Sequence, residues 1–308
     1  MTARPAVRKL LAVVGASLAS LALTACGGSA GTDTAADTSD SSGTLSHVHG
    51  LGVDPADGRV YVATHTGVYT VAKGGKPKLV GDSRDDFMGF TVTGENTFVA
   101  SGHGAEGSDR PGNVGLIETK DAGRTWTSRS LSGEADFHSL DSAKGTVYGY
   151  EGGRIRVSSD LKSWEDRATL EALDLAVSPA GDRLLATTAD GVVASADGGR
   201  TFGKGAEPVQ AFLSWPAEKS LFGIDPSGKL SGSADGGKTW KQLTTVPGGQ
   251  PQALTAVDAE HVLAATQDGV YESVDGGRTF TELAPLATWS SRPSERSPAR
   301  DSCCLRHP

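Results

Sequence analysis

Five of the seven histidines fall in the first half of the chain, at His47, His49, His65, His103 and His138. Carboxylates accompany them: Asp86, beside Asp85, then Asp109, Asp136 and Glu151. Neutral imidazoles and carboxylates are the ordinary ligands of Zn²⁺ and Cu²⁺, and His-x-His with a nearby acid is a common beginning for such a site. The same groups can act as general acids and bases, because histidine titrates near neutrality and paired carboxyls separate their pKa values. These residues are spread over about a hundred positions. Only a fold that returns repeatedly to one place can gather them.

The sequence repeats in a way that supplies such a fold. Ser233-Ala-Asp-Gly-Gly-Lys-Thr-Trp240 has near copies at Ser195–Phe202, Ser273–Phe280 and Thr119–Trp126. A shorter copy, Ser158–Trp164, has lost its glycine, and in the weakest, Val71–Lys78, Lys73 replaces the aspartate. The common pattern is S/T-x-D-x-G-x-T-W/F. Its aspartate can accept hydrogen bonds from its own turn, and its glycine can take positive φ. Its threonine and aromatic residue suit the start of a strand. The aspartates Asp121, Asp160, Asp197, Asp235 and Asp275 recur 37 to 40 residues apart.

Each unit reads as four short strands, as in Ala253–Val257, His261–Thr266, Gly269–Ser273 and Thr279–Leu283. Units start near residues 47, 86, 136, 172, 209 and 251. A period of about 40 residues with four strands is that of a β-propeller. The expected fold is therefore all-β, a six-bladed β-propeller over residues 45–286, with the repeated turns between strands three and four as structural clasps.

Blade phase then says which residues meet. The start of strand one and the end of strand two lie on one axial face, opposite the aspartate turns. Blade one brings His47, His49 and His65 there, blade two Asp85, Asp86 and His103, and blade three Asp136, His138 and Glu151. His47 and His49 alternate by two and are expected on one side of the strand. Blades four to six begin Leu173-Asp-Leu, Ala211-Phe-Leu and Ala253-Leu-Thr and do not repeat the pattern. An insertion from Gly102 to Asn113 carries Asp109 and Arg110 on the same face, where long propeller loops often bind ligands.

The S-x-D-x-G-x-T-W copies resemble the Asp-box, or bacterial neuraminidase repeat, of sialidases, sortilin-type receptors, other glycoside hydrolases and a photosystem assembly factor. His47-Val-His-Gly-Leu-Gly-Val-Asp54 with Asp85-Asp-Phe-Met-Gly-Phe90 resembles a bacterial lipoprotein family described as glycosyl hydrolase-like. The resemblance implies a sialidase-like propeller. Sialidases also use a Phe/Tyr-Arg-Ile-Pro motif ahead of the first blade, and this chain has none; Gly153-Arg-Ile-Arg156 does not match it.

Residues 1–25 carry Arg4, Arg8 and Lys9, then an apolar run from Leu10 to Leu23. They read as a secretory leader. Leu23-Thr-Ala-Cys26 resembles a lipobox, which implies lipidation at Cys26 and anchoring to the membrane from the extracytoplasmic side. Residues 26–44 read as a flexible tether and 287–308, with Cys303, Cys304 and His307, as a disordered tail. A net charge of −8 offers no footprint for nucleic acid. A monomer is expected.

Three functions fit these observations. One is a binding module taking a glycan, a metal ion or a protein on the His/Asp face; a divalent transition metal, Zn²⁺ or Cu²⁺, is the candidate cofactor. Another is a glycoside hydrolase with acid and base among Asp86, Asp109, Asp136 and Glu151, whose separation would set retention or inversion. The last is a docking scaffold using the outer blade surfaces.

Overall fold

A computed structural model describes residues 45–287. The leader, tether and most of the tail expected from the sequence, including Cys26, Cys303 and Cys304, lie outside the described residues. No helix occurs among the described residues, and six antiparallel sheets succeed one another along the chain.

Blade one consists of β1 to β4, Val48–Val53, Val60–Thr64, Gly67–Val71 and Lys78–Leu79. Blade two is β5 to β8, Asp86–Gly94, Thr97–His103, Leu116–Thr119 and Thr127–Ser130. Blade three is β9 to β12, Ser139–Ala143, Thr146–Glu151, Arg154–Ser158 and Glu165–Thr169. Blade four has β13 to β15, Leu175–Val177, Leu184–Thr188 and Gly191–Ser195. Blade five is β16 to β19, Phe212–Ala217, Ser220–Ile224, Lys229–Ser233 and Lys241–Thr245. Blade six is β20 to β23, Pro251–Ala256, Val262–Thr266, Gly269–Ser273 and Thr281–Pro285. The six-bladed propeller expected from the repeat period is the observed fold.

Blade four departs from the four-strand rule. Its outer edge shrinks to one bridge, in which Val192 and Ala206 exchange backbone hydrogen bonds of 3.0 Å. Gly203, Gly205 and Pro208 flank that bridge, and such residues do not sustain a ladder.

The repeated turns join strands three and four, and their residue types explain their shape. In blade five, Asp235 Oδ1 accepts the Lys238 and Thr239 N–H groups at 3.0 and 2.9 Å, while Oδ2 accepts the Thr239 hydroxyl at 2.6 Å. Ser233 donates its hydroxyl to Asp235 at 2.8 Å and accepts Gly237 N–H at 2.9 Å. The Thr239 hydroxyl, followed by its N–H, holds the Asp235 carboxyl well below the usual carboxylate range. The aromatic residue that follows turns back into the blade. Trp126 packs on Phe87 with centroids 5.1 Å apart, and Trp164 stacks on Phe137 at 4.6 Å.

The core lies between neighbouring blades. One cluster joins Val48, Leu51 and Val62 of blade one to Leu263, Ala265 and Val270 of blade six. Burying such faces supplies the main driving force for closing the ring. Inner strands have a free edge toward the next blade, and polar side chains satisfy it. Ser101 accepts Phe137 N–H, Ser139 accepts Leu175 N–H, Ser214 accepts Ala256 N–H and Gln252 accepts Val48 N–H, all at 2.8 to 3.1 Å. The ends of the described chain complete the ring: Leu45 bridges Leu286, and Ala287 N–H donates to the Leu45 carbonyl at 2.7 Å.

Candidate metal centre on the channel rim

The inner strands surround a central channel of about 520 Å³ whose lining includes His49 and His138. Local backbone features aim the rim side chains. β1 has a bulge between Val48 and Gly50, and β5 has one between Phe87 and Gly89. β20 has its own between Pro251 and Ala253. The extra residues are His49, Met88 and Gln252, at corresponding points of three blades. Bulges break the ladder and re-aim one side chain, which is why they gather near sites. Of the three, only blade one places an imidazole at the bulge.

Around His49 the rings close up. His47 and His49 have centroids 4.8 Å apart, His49 and His65 4.4 Å, and His47 and His65 stack at 5.6 Å. His49 Nε2 lies 3.2 Å from His65 Nδ1. His65 Nδ1 lies 2.9 Å from Asp86 Oδ2, and His49 Nε2 lies 3.7 Å from Asp86 Oδ1. A tetrahedral ion with bonds of about 2.0–2.1 Å holds its donor atoms about 3.3 Å apart. The His49–His65 separation and the two separations to Asp86, one to each carboxylate oxygen, lie near that value, and one donor atom from each of the three residues lies within 4.8 Å of the others.

The electrostatics favour a neutral donor at His49. Burial, then the neighbouring His65 and His47, lowers its pKa to about 4. Burial and His65 also lower that of His47. Asp86 Oδ1 is buried without a hydrogen-bond partner. A buried carboxylate oxygen beside imidazole nitrogens is a set of groups of the kind that can ligate a cation.

The arc continues across blades two and three. His103 lies directly opposite Asp86 in the β5–β6 pair. Its Nδ1 is 3.9 Å from Asp86 Oδ2, and its Nε2 is 3.3 Å from Asp136 Oδ2. His138 Nε2 is 3.5 Å from the same Asp136 oxygen. The structure thus brings together His47, His49, His65, Asp86, His103, Asp136 and His138.

Two of the carboxylates expected there have other surroundings. Glu151 accepts the Asp136 N–H at 3.1 Å and pairs with Arg156 at 3.2 Å. It holds the start of blade three instead of facing a ligand. Asp109 is exposed on the insertion. That loop is pinned by its neighbour Arg110, 2.8 Å from the buried Asp85, which also accepts Ala105 N–H at 3.0 Å. The aspartates of the repeated turns stay in their turns.

Sequence reasoning passed over Asp141, on the inner strand β9, and Asp174, just ahead of β13, both of which line the channel. Asp141 accepts the Val177 and Ser142 N–H groups at 2.8 and 2.7 Å. Asp174 accepts Leu213 N–H at 2.8 Å and the Ser139 hydroxyl at 2.9 Å. Burial raises their pKa values to about 7 and about 6. The available signal was Ser139-x-Asp141, two polar residues two apart in a strand with a free edge.

No protein-family description matches the chain, and no curated relative is found. Many solved structures share its fold. YCF48 bound to a D1 peptide is 15% identical with a TM-score of 0.50, over 78% of this chain and 82% of that one. A chain of a nidogen/laminin complex is 10% identical with a TM-score of 0.57, over 74% and 96%. An ancestral GH74 enzyme is 14% identical with a TM-score of 0.51, over 82% of this chain but 40% of its own. These are likenesses of fold. The resemblance to Asp-box proteins rests on the turn sequences themselves.

Proposed function

We propose that this chain is an extracytoplasmic, lipid-anchored propeller module whose channel rim binds a divalent transition-metal ion through His49, His65 and Asp86. One observation carries the reading: the nitrogens of His49 and His65 stand 3.2 Å apart and lie 3.7 and 2.9 Å from the two oxygens of the Asp86 carboxylate, the first of which is buried without a partner. The location follows from the leader and Cys26 motif in the sequence. The bound ion would be the point at which a glycan or protein ligand is held.

The hydrolase alternative has less support. Of its four candidate carboxylates, Glu151 is paired with Arg156 and Asp109 is exposed on the insertion. Asp86 and Asp136 remain, with His103 between them.

Titration of the purified chain with Zn²⁺ and with Cu²⁺ tests the proposal, followed by elemental analysis after desalting. At least one ion per chain is expected, lost from His49→Ala/His65→Ala. Equal metal content in that variant and the wild type would overturn it.

A further inference from the structure

We infer that the chain has a second ligand site, a pocket for a neutral pyranose sugar on the flank of blade five, built around Gln210 and Trp240 and separate from the histidine rim.

The site lies where blade four falls short. Blade four lacks a fourth strand, and the segment in its place runs on through Glu207 and Pro208. Between that segment and the flank of β17 to β19 is a cavity of about 450 Å³, within the range of small-ligand clefts. Gln210 stands at the point where blades two and three have Phe87 and Phe137. The backbone register fixes the correspondence with blade three: Ala211 N–H donates to the Ile224 carbonyl at 2.7 Å, as His138 N–H donates to the Tyr150 carbonyl at 3.0 Å. Phe87 and Phe137 pack on the tryptophans of their own blades' turns, Trp126 and Trp164. Gln210 has the same neighbour. A Cβ on Gly223 would lie 2.9 Å from both the Gln210 amide carbon and a Trp240 ring carbon.

An amide at this position is costly to the fold. Gln210 is 3% exposed, and its Oε1 is buried with no hydrogen-bond partner among the described residues. An unpaired buried polar group is destabilising, and an apolar residue would fill the same space without that cost. Such a group suits a ligand that brings its own hydroxyl.

The neighbouring side chains fit one ligand chemistry. Trp240 donates its Nε1–H to the Gly237 carbonyl at 3.2 Å, so its ring contributes apolar surface to the cavity wall. Asp225 accepts the Ser227 and Lys229 N–H groups and the Ser227 hydroxyl through Oδ1, with Oδ2 unused among the described residues. Gln242 is exposed on β19, and its amide both donates and accepts. A pyranose has C–H faces that pack on an indole and a rim of hydroxyls that donate and accept. It therefore matches an aromatic ring edged by amides and a carboxylate. Two carboxylates, Glu207 and Asp225, against one ammonium, Lys229, give the cavity no excess of positive charge, which favours a neutral sugar over an acidic one.

Sugar binding in the presence of EDTA tests this, because the rim then holds no ion. Maltotriose, cellotriose, xylotriose, mannotriose and triacetylchitotriose are each titrated against the purified chain by saturation-transfer NMR. At least one is expected to bind saturably, and about tenfold more weakly to Gln210→Met and to Gln242→Ala. Melting temperatures establish that both variants fold; if Gln210→Met does not, Gln242→Ala carries the test with the same expectation. No saturable binding by any of these sugars would overturn the site and leave Gln210 to ordered water. Binding that EDTA abolishes would place the sugar at the metal rim and overturn the second site, leaving the rim reading standing. Undiminished affinity in the folded variants would place the sugar elsewhere and overturn the assignment.

Discussion

Gly102 lies so close to the backbone carbonyl of Asp86 that a Cβ on it would overlap the carbonyl oxygen, and the Met88 amide nitrogen would be only 2.9 Å away. Its φ of 147° is itself unfavourable for any residue with a side chain. This contact sits at the β5 bulge, next to the Asp86–His103 pair. Gly102→Ala is expected to destabilise the fold by on the order of 2 kcal/mol and to weaken Zn²⁺ binding, because Asp86 must move. Calorimetric titration beside thermal unfolding checks it; unchanged metal affinity would show that Asp86 position does not govern the site.

Arg110 tests the insertion separately. Asp85 is buried, and Arg110 is its charged partner. Arg110→Ala leaves that carboxylate with only the Ser83 hydroxyl and Ala105 N–H. Removing one partner of a buried pair is costly, and a loss of on the order of 2 kcal/mol is expected. Asp85→Asn in the Arg110→Ala background should recover part of it. Urea unfolding of the wild type and both variants measures the sequence of losses.

Asp141 and Asp174 give the channel a pH dependence. Their folded pKa values, about 7 and about 6, lie above the ordinary 3.8. The folded state therefore holds protons that the unfolded chain releases. Their contribution is fully present below about pH 4 and is lost as pH rises through 6 to 7. In Asp141→Asn the slope of stability against pH between 4 and 7 should fall, although loss of one accepted N–H shifts the whole curve. Melting temperatures across that range check this; an unchanged slope would mean that Asp141 does not titrate there.

The repeated turns should separate stability from binding. Asp235→Ala removes four accepted hydrogen bonds from the β18–β19 turn. A melting temperature lower by a few degrees is expected, with Zn²⁺ stoichiometry unchanged. A changed stoichiometry would give these turns a role in binding.

Much of this was legible in the sequence because its grammar is local. A turn such as Ser233–Trp240 uses residues within eight positions of one another, so four good copies and two degenerate ones suffice to phase the blades. The phase then brings His49, His65, Asp86, His103, Asp136 and His138 together without any structural information. What remained hidden depends on contacts between strands. Glu151 is committed to Arg156 across a hairpin and to the Asp136 amide. Asp141 and Asp174 are committed to amides of the next blade. The bulge at His49 leaves no mark in composition, since Met88 and Gln252 occupy the same point in other blades. The thin edge of blade four reflects a local run of glycine and proline that a repeat ruler passes over.

The Leu45–Leu286 bridge puts both ends of the ring at one seam. Leu45 is only two residues from His47 and four from His49. Tension arriving from the preceding segment would fall first on the hydrogen bonds from Leu45 N–H to the Pro285 carbonyl and from Ala287 N–H to the Leu45 carbonyl. Those bonds and the Val48–Gln252 contact stand between such a pull and the first histidine cluster. A pull on that segment would therefore load the seam before it reached the rim histidines.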